Sequence, residues 1–143
     1  MERREFLKSG CGYCVALAGI SVLGPLLEGC KPSDLIYKAA IAGGMINVPV
    51  AELANKKYLI VRSSMLEYDL LLVKESDTLY HALAMQCTHR QQPLVVTSTG
   101  LICNEHGSRF DLQGNVTQDP ATRPLTKFKT DLFENNIVIK IDS

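Results

Sequence analysis

Eight residues separate the stretch Cys87-Thr-His-Arg-Gln-Gln-Pro-Leu94 from the stretch Cys103-Asn-Glu-His-Gly-Ser-Arg-Phe-Asp111. Each stretch supplies one thiol and one imidazole, spaced C-x-H in the first and C-x-x-H in the second. Four such ligands, arranged as two pairs, can hold a metal centre. The chain has three histidines in all, and two of them lie two and three residues after the only cysteines beyond residue 30. The spacing therefore predicts a metal site built from two loops.

Zinc and an iron-sulfur cluster compete for the same four ligands. A Cys2His2 zinc finger places both histidines on one helix, three to five residues apart. Here each loop offers one ligand of each type, and no helical pattern follows. This pairing suits a 2Fe-2S cluster in which two cysteines bind one iron and two histidines bind the other. A zinc-stabilised β-domain acting as an interaction module remains the alternative.

These residues resemble the Rieske family, and the resemblance extends over nearly all of the chain beyond its N-terminal segment. The two stretches resemble the family's first and second cluster loops. The segment Asp119-Pro-Ala-Thr-Arg-Pro-Leu125 resembles the proline loop that covers the cluster, although the family has glycine at the position of Asp119. The resemblance implies one 2Fe-2S cluster per chain with Cys87 and Cys103 on the inner iron and His89 and His106 on the outer iron.

Four further residues are candidates for the surroundings of the cluster. Gly107 allows the backbone to pass where a Cβ would obstruct it. By resemblance, the hydroxyl of Ser108 donates to a bridging sulfide and raises the reduction potential. Arg90 adds positive charge beside the first histidine and is a candidate contact for an acidic partner. Pro120 belongs to the predicted proline loop.

Three positions depart from the high-potential members of the family. Gln92 and Glu105 stand where those proteins have cysteines that form a disulfide, so this bridge is absent here. Phe110 replaces a tyrosine that donates to a cysteine sulfur. With one donor lost and one negative charge added, we expect a potential below the top of the family range of about −150 to +300 mV.

The rest of the predicted domain consists of short segments rich in Val, Ile, Leu and Tyr, which is typical of strands. Turn residues separate them at hairpin distances, and only residues 50–55 offer a helical turn. We expect an all-β fold, with the resemblance implying an antiparallel β-sandwich and a small cluster-binding subdomain. His81 lies on a strand with buried neighbours and is expected to be structural. The predicted strands cover residues 58–62, 69–74, 78–85, 128–133 and 137–141.

Composition narrows the function classes. The 143 residues allow one ordinary domain, and 15 basic against 15 acidic residues leave no net charge. A protein that binds nucleic acid through phosphates would have a basic surplus. The five cysteines are an odd number, so they cannot all pair within the chain.

The first thirty residues have the pattern of an export signal. Arg3-Arg4-Glu-Phe-Leu-Lys8 resembles the bacterial twin-arginine signal, and an apolar segment runs over residues 12–27. Leu27-Glu-Gly-Cys30 resembles a lipoprotein cleavage box, apart from Glu28, which makes Cys30 a candidate lipid site. Cys11 and Cys14 match C-x-x-C but lie inside this segment. Cleavage, lipidation and an uncleaved membrane anchor remain open. We divide the chain into a signal over 1–30, a tether over 31–44 and a Rieske domain over 45–143.

The function implied by the resemblance is one-electron transfer as an exported iron-sulfur subunit at the periplasmic face of the cytoplasmic membrane. Its partners would be redox proteins of a cytochrome bc-like complex, such as a c-type cytochrome, or the molybdenum subunit of an arsenite-oxidase-like enzyme. The sequence offers no arrangement of nucleophile and base, so catalytic residues are not predicted. The second function within the family is a stand-alone Rieske ferredoxin serving an oxygenase.

Overall fold

The structure is a computed structural model that describes residues 35–141. The predicted signal, with Cys11, Cys14 and Cys30, lies outside the described residues. Within residues 35–141 no helix is long and apolar enough to cross a membrane.

The described chain is almost entirely β-structure, as predicted. A 3-10 helix over Val50–Leu53 falls within the expected helical turn. The strands are β1 Ile36–Lys38, β2 Met45–Pro49, β3 Tyr58–Arg62, β4 Leu70–Lys74, β5 Tyr80–Ala84, β6 Val95–Val96, β7 Leu101–Ile102, β8 Arg109–Phe110, β9 Val116–Gln118, β10 Lys127–Phe128, β11 Thr130–Phe133 and β12 Asn136–Lys140.

Three sheets assemble from these strands. The largest has the order β1-β3-β4-β5-β10, in which only the β1–β3 pair is parallel. A three-stranded antiparallel sheet has the order β11-β12-β2. The small antiparallel sheet β6-β7-β8-β9 forms the subdomain that contains the cysteine-histidine loops. The all-β prediction, with mainly antiparallel sheets, is confirmed.

Strand β4 is buried on both faces and separates two hydrophobic cores. Leu70 and Leu72 pack into the first core, between the large sheet and the three-stranded sheet. Leu71 and Val73 point the other way into the second core, which lies under the small sheet. Because strand side chains alternate between faces, one apolar run supplies both cores. Burying each such side chain contributes roughly 1.5–3 kcal/mol, so β4 fixes the subdomain onto the main sheet.

Two sequence predictions fail around the edges of the sheets. The segment 31–44, predicted to be a tether, contains β1, whose Ile36 pairs with Ile60 of β3. A three-residue strand is too short to show a hydrophobic period, which explains the miss. The single strand predicted over 128–133 is divided at Lys129 between β10 in the large sheet and β11 in the three-stranded sheet.

His81 occupies β5 and is buried, as expected for a structural histidine. Its Nε2 lies 2.8 Å from the carbonyl oxygen of Leu112, which can only accept, so this nitrogen donates. Its Nδ1 lies 2.6 Å from Oε1 of Glu75, in a contact without good hydrogen-bond alignment. The contact with Leu112 connects the large sheet to the turn that follows β8.

Candidate metal centre

Two loops of the small subdomain carry the predicted ligands. The first loop, residues 87–94, follows β5, and a bridge between Gln86 and Pro93 closes its base. The second loop, residues 103–108, connects β7 to β8, which are paired antiparallel. Both loops therefore start at strand ends and project from the same subdomain.

The two loops share one backbone pattern. In the first, the N–H of Cys87 donates to the carbonyl of Gln92 at 2.7 Å, and the N–H of Gln91 donates to the carbonyl of Cys87 at 2.8 Å. The second loop repeats both bonds at 2.9 Å, with Cys103, Ser108 and Gly107 in the corresponding places. In each loop the cysteine is thus fixed by its own amide and carbonyl, independently of its side chain.

This pattern requires a left-handed residue four positions after each cysteine. Gly107 meets the requirement with φ of 83°, and Gln91 meets it with φ of 56° although it carries a Cβ. A Cβ built on Gly107 would meet only the side chain of Gln118, at 3.7 Å. Among the protein's own atoms, the reason for glycine here is therefore backbone conformation rather than crowding.

The predicted ligands form two layers. Cys87 and Cys103 are each 1% exposed and belong to the second core. His89 and His106 are exposed, with ring centroids 5.0 Å apart and ring planes at 84°. Thiols therefore lie inside and imidazoles at the surface.

The donor set fits a 2Fe-2S cluster. Within residues 35–141, no three His, Cys, Asp or Glu side chains are arranged to hold one metal ion. A 2Fe-2S cluster of mixed ligation takes two thiolates on one iron and two imidazoles on the other. The buried thiol pair and the exposed imidazole pair match that division.

Ser108 provides a further polar group in the buried layer. Its side chain is fully buried, and its Oγ accepts the N–H of Ala121 at 3.0 Å. That bond uses a lone pair of the oxygen and leaves the hydroxyl hydrogen available to donate. A buried hydroxyl with a free proton beside Cys103 fits the sulfide donor that the sequence predicts.

Residues 119–125 fasten both loops. The Asp119–Pro120 peptide bond is cis, and Pro120 is half-buried. Besides the bond from Ala121 to the second loop, the hydroxyl of Thr88 donates to the carbonyl of Arg123 at 2.7 Å. Sequence reasoning did not single out Thr88 or Arg123, although a hydroxyl residue between two ligands was a usable signal.

Charges differ between the two loops. Arg90 and Arg123 are exposed beside the first loop, where Nη2 of Arg123 lies 3.4 Å from the carbonyl oxygen of Thr88. Glu105 is exposed directly before His106. The first loop is thus flanked by two positive charges, whereas the second loop contains the negative charge of Glu105 and is followed directly by the exposed Arg109.

Asp111 closes the turn after the second loop. Its Oδ1 accepts the N–H groups of Gln113 and Asn115 at 2.9 and 2.8 Å, and its Oδ2 accepts the side-chain amide of Asn115 at 3.0 Å. Partial burial opposes ionisation of this carboxyl, but the hydrogen bonds from Asn115, Gln113 and Gly114 outweigh it and lower the pKa of Asp111.

The departures from high-potential Rieske proteins lie where the sequence places them. Both cysteines among residues 35–141 are free. Gln92 is half-buried, and its backbone carbonyl accepts a hydrogen bond from the N–H of Cys87, while Glu105 is exposed to solvent. The ring of Phe110 is buried in the second core, where it offers no hydroxyl.

Solved structures share the fold, and two of them illustrate the similarity. The crystal structure of the cyanobacterial plasma membrane Rieske protein PetC3 from Synechocystis PCC 6803 is 26% identical, with a TM-score of 0.55, over 66% of this chain and 97% of that chain. A chain in the complex of reduced oxygenase and oxidized ferredoxin in carbazole 1,9a-dioxygenase is 18% identical, with a TM-score of 0.53, over 69% of this chain and 94% of that chain. No curated protein matches.

The family comparison covers the whole metal centre. The model of the Rieske [2Fe-2S] domain matches residues 45–129, which is more than half of the chain. That range contains both loops and the segment 119–125. The chain belongs to the Rieske family, whose domain binds a 2Fe-2S cluster.

Proposed function

We propose that this protein transfers single electrons through a 2Fe-2S cluster held by Cys87, Cys103, His89 and His106. The observation that carries the proposal is that both thiols are buried while both imidazoles are exposed, with the two imidazole ring centroids 5.0 Å apart. When bound, the cluster accepts and releases one electron at a potential raised by its two neutral ligands. A zinc-stabilised interaction module is the alternative, and the metal content of the purified protein distinguishes the two functions.

The protein's own residues control how water and a redox partner reach the four candidate ligands. The cysteines are enclosed by the second core, which keeps water from the inner layer. The two imidazole edges are the exposed part of the ligand set, so a partner makes its electronic contact there. Residues 119–125 hold the two loops together through Ser108 and Thr88. A rigid site limits the structural change between the two redox states.

For the cellular setting, we propose export by the twin-arginine route and attachment to the periplasmic face of the membrane. The motif at residues 3–8 supports export in folded form, and Cys30 supports a lipid anchor. The similarity to a plasma membrane Rieske protein supports membrane association. In this setting the protein is the iron-sulfur subunit of a cytochrome bc-like or arsenite-oxidase-like oxidoreductase. The domain division into 1–30 and a cluster domain belongs to the same proposal.

A second candidate is a stand-alone ferredoxin for an oxygenase. The presence of Gln92 and Glu105, where high-potential Rieske proteins have two cysteines joined by a disulfide, favours it. The predicted export signal favours the membrane-associated role instead.

Metal analysis tests the function, and fractionation tests the location. Purified protein should contain two irons and two acid-labile sulfides per chain, whereas a colourless protein with one zinc would contradict electron transfer. The Cys87→Ser variant serves as the control without a cluster. In bacteria, changing Arg3 and Arg4 to Lys should retain the protein in the cytoplasm, and Cys30→Ser should release it from membranes. If the wild-type protein is itself found in the cytoplasm, this location would favour the ferredoxin role.

A further inference from the structure

The two imidazoles lie between charges of opposite sign. Arg90 directly follows His89, and Arg123 reaches the same loop through its contact with the Thr88 carbonyl at 3.4 Å. Both arginines are exposed. The positive charges therefore cluster on the His89 side of the exposed pair.

The opposite side carries carboxylates. Glu105 directly precedes His106 and is exposed. Asp119 is also exposed and follows Gln118, whose side-chain amide donates to the carbonyl of Gly107 at 3.0 Å. Arg109, which pairs with Gln118, is exposed on this side as well. The His89 side thus has two positive charges, whereas the His106 side has two negative charges and one positive charge. This difference gives the surface an electric dipole while the whole chain has no net charge.

These charges are not neutralised within the described protein. Elsewhere, Arg62 binds Asp69 through two nitrogens at 2.7–3.2 Å, and similar ion pairs join Lys74 to Asp77 and Lys140 to Asp131. Among residues 35–141, none of the ion pairs involves the two arginines or the two carboxylates beside the imidazoles. Their charges are available to a partner.

We propose that the His89 side of this surface is the docking site for an acidic patch around the redox centre of a partner protein. Arg90 and Arg123 attract the partner's carboxylates, while Glu105 and Asp119 repel them from the His106 side. The partner is thereby oriented so that its centre approaches His89. This inference names the chemistry of the partner and rests on the proposed electron-transfer function.

Electrostatic steering of this kind acts mainly on the association rate. Exposed charges accelerate encounters by about tenfold or more at low salt. The effect fades as the Debye length falls from ~30 Å at 0.01 M to ~8 Å at 0.15 M ionic strength. The salt dependence therefore separates steering from changes in the cluster itself.

The test is stopped-flow electron exchange with two c-type cytochromes of matched potential, one acidic and one basic. At 0.01 M ionic strength, the acidic cytochrome should react faster with the wild-type protein, and this rate should fall with added salt. The double change Arg90→Gln with Arg123→Gln should lower the rate about tenfold. Glu105→Gln should raise it. The control Lys57→Gln, at the opposite end of the large sheet, should leave it unchanged.

Charge-retaining variants exclude a folding artefact. Arg90→Lys with Arg123→Lys loses the contact of the guanidinium with Thr88 but keeps both charges, so its rate should stay near that of the wild-type protein. Visible and EPR spectra of every variant must first show the cluster. If the wild-type protein contains no cluster, the proposed function fails and the docking site with it. If the cluster is present but the basic cytochrome reacts faster, or the glutamine variants match the wild-type protein, the docking proposal alone is wrong.

Discussion

The first and second cluster loops have the same backbone and different side chains. Each cysteine makes the same two backbone hydrogen bonds, and each loop turns through a left-handed residue at the same place. On this common frame the ligands are offset by one residue. His89 occupies the position that Glu105 holds in the second loop, and Arg90 occupies the position of His106.

The comparison separates two tasks. The repeated backbone places the thiols, because its hydrogen bonds involve the main chain of the cysteines. The side chains that differ determine the surroundings of the candidate ligands. The second loop contains a buried serine, and exposed arginines lie beside the first loop. We therefore expect changes to the shared frame to affect cluster retention and stability, and changes to the other side chains to affect potential and docking.

The largest effects should come from the ligands, which the two loops share. Cys87→Ser and Cys103→Ser should each abolish the cluster, because a serine alkoxide is a poor substitute for a soft thiolate on iron. His106→Cys should retain part of the cluster at a lower potential, since a charged thiolate replaces a neutral imidazole. Iron content and film voltammetry measure both results. An unchanged midpoint potential in the His106→Cys protein would contradict its assignment as a ligand.

The hydrogen bonds that join residues 119–125 to the two loops should contribute unequally to the free energy of unfolding. Ser108→Ala leaves the buried N–H of Ala121 without an acceptor, so the free energy of unfolding should fall by about 1–3 kcal/mol. It should also lower the reduction potential through the loss of a donor. Thr88→Val removes a more exposed hydrogen bond, with an expected loss of about 0.5–1.5 kcal/mol. Urea denaturation of the two variants compares them, and equal stability losses with no change in potential for Ser108→Ala would refute the distinction.

The left-handed position holds glycine in the second loop and glutamine in the first, so substitutions at the two positions should have opposite effects on stability. Gly107→Ala should destabilise the protein by about 1–2 kcal/mol, because an L-residue resists this conformation. Gln91→Gly should relieve the same strain, with the gain reduced by the ~0.5–1 kcal/mol entropy cost of glycine. Thermal unfolding of the two proteins checks the signs. A destabilised Gln91→Gly protein would show that the side chain of Gln91 makes a contribution of its own.

Acid should weaken the turn between β8 and β9 through Asp111. Its pKa is lowered in the folded protein, so its hydrogen bonds stabilise the fold fully above the unfolded pKa near 3.8. That stability is lost as the pH falls from this value through the lower folded pKa. Asp111→Asn should remove this part of the acid sensitivity. Unfolding free energies measured across this pH window for both proteins provide the test, and parallel curves would rule out the contribution of Asp111.

The smallest change is expected from Glu105. Replacing it by Gln removes one exposed negative charge, and a unit charge ~10 Å away across an effective dielectric of 20–80 corresponds to a rise of roughly 20–70 mV. The wild-type midpoint itself should lie below the top of the family range of about +300 mV. Voltammetry at neutral pH measures both values. A wild-type midpoint near +300 mV would overturn the argument from the missing disulfide and Phe110.

The candidate ligands are easier to identify from the sequence than the residues that support the two loops. The four candidate ligands stand out in the sequence by their two spacings, because a metal centre requires those residue types. Strands β3, β4 and β12 are also predictable, since each has a regular apolar pattern. Strand β1 and the break at Lys129 are not, because two- and three-residue strands have no measurable period. The contact between Thr88 and Arg123 spans 35 residues of sequence, and only the folded chain brings them together.

The central claim is that two histidines and two cysteines bind one 2Fe-2S cluster. Pulsed EPR of the reduced protein, labelled with ¹⁵N in its histidines, tests it most directly. We predict couplings to two histidine nitrogens, one of which disappears in each of the variants His89→Cys and His106→Cys, while His81→Gln retains both. A reduced cluster without histidine couplings, or a labelled protein without any EPR signal, would contradict the account.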